Sequence, residues 1–174
     1  MANGTFIISE LDGDLRDRIL AIQRRVDPRL ATLLPPHVTI VGSSGAGPLP
    51  VDTSPDELKA ALEPITDETD PIVVEFGPPM RFMQTDIVVL PLDPHGPLRA
   101  LHERIVQSGL PFARARFTFT PHCTLSLYPT LTPEARKDLL SIRIDEPVVI
   151  DRIQVYRTTD SYHAKRILEL DLRG

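Results

Sequence analysis

A histidine and a threonine two residues apart, set among apolar residues and preceded by proline, occur twice in this chain: Pro36-His37-Val38-Thr39-Ile40 and Pro121-His122-Cys123-Thr124-Leu125. Side chains of a β-strand alternate between faces, so His37 and Thr39 are expected to point one way and Val38 and Ile40 the other. In the second copy His122, Thr124, Ser126 and Tyr128 read as one polar stripe, against an apolar stripe of Cys123, Leu125 and Leu127. Imidazoles titrate near neutral pH and hydroxyls donate hydrogen bonds, so two of each are the parts needed to move protons around a phosphate group. A lone strand histidine is ordinarily structural, and it is the repetition that lifts this pair above that reading. The other three histidines do not share the pattern. His95 lies in a Pro/Gly turn, His102 in a helix and His163 in a turn near the C-terminus, and each is expected to be surface or structural.

Side chains of this kind need strands to aim them and helices to back the strands. Alternation predicts a strand over 5–11, and a 3.6-residue period predicts a helix over 14–26 with Leu15, Ile19, Ile22 and Val26 on one face. After the first His-Thr strand, the Gly/Ser-rich stretch 42–47 lacks the closing Lys-Ser/Thr of a phosphate loop and is expected to be a mobile rim loop. Ser54-Pro55-Asp56-Glu57 opens a helix that ends before Pro71, and a strand follows over 72–76. The order then repeats, with a strand over 86–90, a helix over 97–109, the second His-Thr strand, a helix opened by Thr132-Pro133-Glu134, and a strand over 148–156. A last strand over 166–172 is expected to pair with 148–156. This plan predicts an α+β fold, bilobal and internally duplicated, in which two antiparallel sheets form a central cleft with helices outside, as one domain over 1–174.

The 174 residues are 41% hydrophobic and 25% charged, which is ordinary for a globular protein. A net charge of −5 argues against gripping long nucleic acid through the whole surface but leaves room for a nucleic-acid end or a small nucleotide. Arg114 and Arg116, just before the second motif, are the candidates for local phosphate contact, weighed equally against a solvated loop. Tyr128 could stack on a base, whereas Phe117 and Phe119 alternate with threonines and are expected in the core. Cys123 is the only cysteine, so no intramolecular disulfide forms, and it is expected to be buried and inert. No apolar run is long enough to cross a bilayer and the first residues do not resemble a secretion signal, so no membrane partner is expected; the single cysteine suits a reducing cytoplasm, and a monomer is expected.

On these motifs the chain resembles the 2H phosphoesterase superfamily, in the LigT-like branch labelled 2′-5′ RNA ligase or RNA 2′,3′-cyclic phosphodiesterase. The family is defined by two His-x-Thr/Ser-x motifs with apolar x, matched by His37-Val38-Thr39-Ile40 and His122-Cys123-Thr124-Leu125. The resemblance implies a groove between lobes as the active site, no metal or other cofactor, and an RNA 3′ end or small nucleotide with a cyclic phosphate as substrate. It implies catalysis by His37, Thr39, His122 and Thr124, with His122 as base and His37 as acid, a 2′-phosphate product, and 2′-5′ ligation as the reverse reaction. Many LigT-like proteins carry an Arg shortly after the second motif, where this chain has Leu125-Ser126-Leu127-Tyr128. That departure concerns how substrate is held rather than the chemistry, and Arg114, Arg116, Ser126 and Tyr128 are the expected substrate-binding residues.

Two other readings compete. A metal hydrolase would need a third and fourth ligand, and the motifs supply only two histidines, with no Asp, Glu or Cys at helical ligand spacing. A nucleotide- or RNA-binding module on the same scaffold, with little turnover, shares every residue named. Turnover of a 2′,3′-cyclic nucleotide in EDTA separates these readings.

Overall fold

The computed structural model describes residues 3–82, 84–127, 131–160 and 163–174, so Tyr128 lies outside the described residues. In chain order the elements are β1 (Gly4–Glu10), α1 (Gly13–Val26), α2 (Pro28–Leu33), β2 (His37–Val41), α3 (Pro55–Asp67), β3 (Ile72–Val74), β4 (Met80–Arg81), β5 (Val88–Pro91), α4 (Pro97–Val106), β6 (His122–Ser126), α5 (Pro133–Ser141), β7 (Val148–Ile150), β8 (Arg152–Thr158) and β9 (Ala164–Asp171). Local sequence explains most boundaries. Ser54 Oγ accepts the Glu57 N–H at 3.1 Å and Thr132 Oγ1 that of Ala135 at 3.2 Å, each with proline next in the chain. Each such cap is worth about 1 kcal/mol. Pro28 cannot continue α1, and Asp27 instead caps α2 by accepting from Leu30 N–H at 3.1 Å. With six and two residues respectively, α2 and β4 are too short for periodicity to reveal, and the sequence reading missed both.

The strands form antiparallel sheets in the orders β2-β1-β8-β9 and β4-β5-β6, each carrying one His-Thr strand, with a two-stranded ribbon β3-β7 in addition. The predicted strand over 148–156 divides at Asp151: β7 pairs with β3 and β8 with β1. Apolar alternation runs on through the division, so the pattern alone does not show the change of sheet. β9 pairs with β8 as expected.

Duplication is visible in the strand register. Along β1 and β2, Glu10 opposes His37, Ser9 opposes Val38 and Ile8 opposes Thr39; an irregularity follows, and Ile7 opposes Val41. Along β5 and β6, Pro91 opposes His122, Leu90 opposes Cys123 and Val89 opposes Thr124; the same irregularity follows, and Val88 opposes Ser126. The repeats also lend parts to each other. α1 packs on β6 and α4 on β2, while β8 completes the sheet of β1 and β2, and β4 completes that of β5 and β6. Between them Val38, Ile40 and Leu125 are fully buried in one apolar cluster, each adding about 1.5–3 kcal/mol through burial.

Candidate active site

His37 and His122 are the first residues of β2 and β6, half-buried, with Thr39 and Thr124 half-buried two residues further on. Pro35 O lies 2.7 Å from His37 Nδ1, and Thr120 O lies 2.7 Å from His122 Nδ1. A carbonyl only accepts, so Nδ1 carries the hydrogen and Nε2 is left to exchange a proton. The two strands approach where the histidines sit. The His37 backbone N–H meets the Cys123 thiol, and the charge of His122 acts on His37. Burial lowers both imidazoles below the ordinary histidine value, and the carbonyl bonds oppose it; at His37, His122 adds to the lowering and Glu10 opposes it. Paired imidazoles with hydroxyls on the same strand faces can hold an anion and pass protons to and from it.

Not every predicted residue joins this group. The irregularity between Thr124 and Ser126 inserts a residue and breaks the alternation, so Ser126 turns inward. It is fully buried with Oγ unpartnered among the described residues, which corrects its assignment to substrate binding. Arg114 and Arg116 are exposed on an irregular stretch, not on a strand. Arg116 lies over the Phe117 ring at 5.4 Å, Phe117 meets Phe82 edge-on at 6.4 Å, and Phe82 is 4.5 Å from the His122 ring. Arg116 is thereby linked to the His122 neighbourhood. Phe117 is 39% exposed and so is not core, while Phe119 is buried, stacked on His102 at 4.0 Å. Phe82 was missed, because it follows a two-residue strand and belongs to no periodic run.

The stretch 42–47 is a strap rather than a mobile rim. Gly45 N–H donates to Phe117 O at 2.8 Å, Gly47 N–H to Ala113 O at 2.7 Å, and Thr120 N–H to Ser44 Oγ at 2.9 Å. Gly45 has φ +76°, and a Cβ there would collide with the His102 ring, so glycine suits the position. The strap positions Thr120, whose carbonyl orients His122. Helices clamp the strands across the repeats: His102 Nδ1 on α4 is 2.7 Å from Ile40 O, Gln23 Nε2 on α1 donates to Thr124 O at 2.9 Å, and Asp27 Oδ2 accepts from Leu127 N–H at 2.8 Å. His102 is therefore structural, as expected. Among the described residues no three His, Cys, Asp or Glu gather as a metal-binding set, and no helix is long and apolar enough to cross a membrane.

Mixed helices and antiparallel sheets, two of them presenting a His-Thr strand in matched register, define a LigT-like 2H phosphoesterase fold. The chain belongs to the 2′-5′ RNA ligase superfamily, whose family model matches residues 11–161. Among solved structures, E. coli LigT in its apo form is 15% identical, with 99% of this chain and 98% of that chain covered and a TM-score of 0.62. E. coli LigT complexed with 3′-AMP matches at 14% identity over 99% of each chain with a TM-score of 0.60. Usb1 of Kluyveromyces marxianus matches at 10% identity over 97% of each chain with a TM-score of 0.52. At these identities the likeness is one of fold. No curated protein matches the chain.

Proposed function

We propose that this chain is a metal-independent phosphodiesterase that opens the 2′,3′-cyclic phosphate of RNA ends or nucleotides to a 2′-phosphate, working as a cytoplasmic, single-domain monomer. The observation that carries the reading is the matched pair of histidines, each with Nδ1 held by a carbonyl two residues earlier and Nε2 left for chemistry. In-line displacement places the attacking and leaving oxygens on opposite sides of phosphorus, so an acid and a base from opposing sheets suit it. His122 takes a proton from water and His37 gives one to the departing ribose oxygen, in the order the family resemblance implies. Thr39 and Thr124 donate to the non-bridging oxygens, where charge develops. Arg116, with Phe117 and Phe82 beside His122, is the best-supported substrate contact beyond the four motif residues. Reversal of the same steps would join a 2′-phosphate end in a 2′-5′ linkage. Superfamily membership and a LigT relative complexed with 3′-AMP favour a nucleotide-like substrate.

The test is hydrolysis of a 2′,3′-cyclic nucleotide in EDTA. Turnover is expected to persist, and His37→Ala or His122→Ala to lower kcat at least about 10²-fold in folded protein. Near wild-type turnover by a folded His122→Ala variant would sink the mechanism and favour a binding module. Activity lost in EDTA and restored by zinc would show that a metal carries the chemistry.

A further inference from the structure

Matched register allows the two halves to be compared residue by residue, and at the histidines they differ by one carboxylate. Glu10 stands opposite His37 on β1; Pro91 stands opposite His122 on β5. Directly opposed residues of an antiparallel pair share a face with Cβ atoms about 4.5–5.5 Å apart. Glu10 therefore flanks His37, and nothing ionisable takes the corresponding place at His122. The carboxylate is fixed. Its Oε1 accepts from the Tyr156 hydroxyl on β8 and lies 3.8 Å from Arg166 Nη1 on β9, while the Glu10 N–H donates to Gln154 Oε1 at 2.9 Å. Burial and the Glu10 contact push the Tyr156 hydroxyl up, so it stays protonated and keeps donating.

Among the described residues the ionisable groups about His37 are Glu10 on β1, Tyr156 and Arg166 behind it on β8 and β9, and His122 and Cys123 on β6. Burial pushes the Cys123 thiol up to about 12, so it is neutral. Burial lowers His37 most, the Pro35 carbonyl opposes it, a protonated His122 lowers it further, and among the described residues Glu10 is the one side chain that draws a proton toward it. A carboxylate so near an anionic substrate weakens binding, so its place is not explained by substrate affinity.

We propose that Glu10 is a positioning residue that favours a proton on His37 and has no counterpart at His122, so that one carboxylate biases a near-symmetric site toward His37 as the acid. This rests on the hydrolytic reading above. As the water oxygen bonds to phosphorus, His122 Nε2 takes its proton; the bond from phosphorus to O3′ breaks, and His37 Nε2 gives its proton to O3′. A 2′-phosphate and a free 3′-hydroxyl result, and both imidazoles return to their starting states by exchange with solvent.

The test is Glu10→Gln, which keeps the size of the side chain and an acceptor for Tyr156. Two readouts are taken: the pH profile of 2′,3′-cyclic nucleotide hydrolysis, and an NMR titration of the histidines in free protein. The alkaline limb is expected to move down by about 0.5–1 pH unit, less than an unshared charge would give because Tyr156 and Arg166 also hold the carboxylate. The plateau is expected to fall while KM stays level or drops, a split that a merely structural role would not give. NMR is expected to show His37 titrating lower and His122 hardly moved. A His37 titration unchanged from wild type would overturn the proposal. An acidic limb that moves down while the alkaline limb stays in place would make His37 the base and overturn it too. If the wild-type protein hydrolyses nothing, the hydrolytic reading fails, and the NMR arm still judges whether Glu10 governs His37.

Discussion

At the residue scale the histidines bear on stability as well as on the proposed chemistry. His37, His102 and His122 are all held below the ordinary histidine value, chiefly by burial. A histidine whose folded-state pKa is depressed binds fewer protons when folded, so acid favours the unfolded chain. The stability at stake is intact above about pH 6.5 and is lost as the pH falls from there toward the folded-state values. Each group contributes a slope of at most about 1.4 kcal/mol per pH unit, and all three act in the same direction. The melting temperature followed by circular dichroism is therefore expected to drop between pH 7 and pH 5.5, above the range where most carboxylates titrate. His102→Gln should lose part of that dependence, and a flat wild-type profile would contradict the burial of these rings. The placement of His37, Thr39, His122 and Thr124 on two matching strands was legible in the sequence because parity and repetition act within five residues. Ser126 was misread because the irregularity that turns it inward leaves no mark in composition. Glu10 gains its meaning only from its register with His37, which a single strand does not reveal.

At the scale of elements, the His-Thr strands are held from behind by helices of the other repeat. Asp27 illustrates how much one junction carries: Oδ1 caps α2 through Leu30 N–H, and Oδ2 accepts from Leu127 N–H just past β6. Asp27→Ala removes both, leaving two backbone N–H groups in search of acceptors. A loss of about 2.5–4 kcal/mol in chemical unfolding is expected, from a cap of about 1 kcal/mol and a charge-assisted bond of about 1.5–3 kcal/mol. A loss below about 1 kcal/mol would mean that water takes over both bonds. The sequence displayed the helix starts well, since Ser54-Pro55 and Thr132-Pro133 act through neighbours in the chain. It did not display the clamps or the change of sheet at Asp151, which depend on which strand lies alongside.

For the whole molecule, the duplicated order of elements was readable from spacing, and the exchange of parts between repeats was not. Each repeat supplies its first helix and its last strand to the sheet of the other. Neither sheet can be completed by one repeat alone. A feature of the finished structure thus becomes a matter of timing while the chain is being made. Gly4 pairs with Thr158 and Ile8 with Gln154, so one edge of β1 has no partner until the ribosome has passed residue 158. At about 5–20 residues per second, that edge stays open for roughly 7–30 s. Open strand edges are templates for joining other chains. Nascent chains arrested near residue 145 should therefore be cut readily by protease within 4–10, and chains released after residue 171 should resist; protection already present at 145 would show that the first repeat closes alone. The protein's most hazardous interval then falls during translation, before any substrate can be met, and slowing the ribosome late in the message would lengthen it.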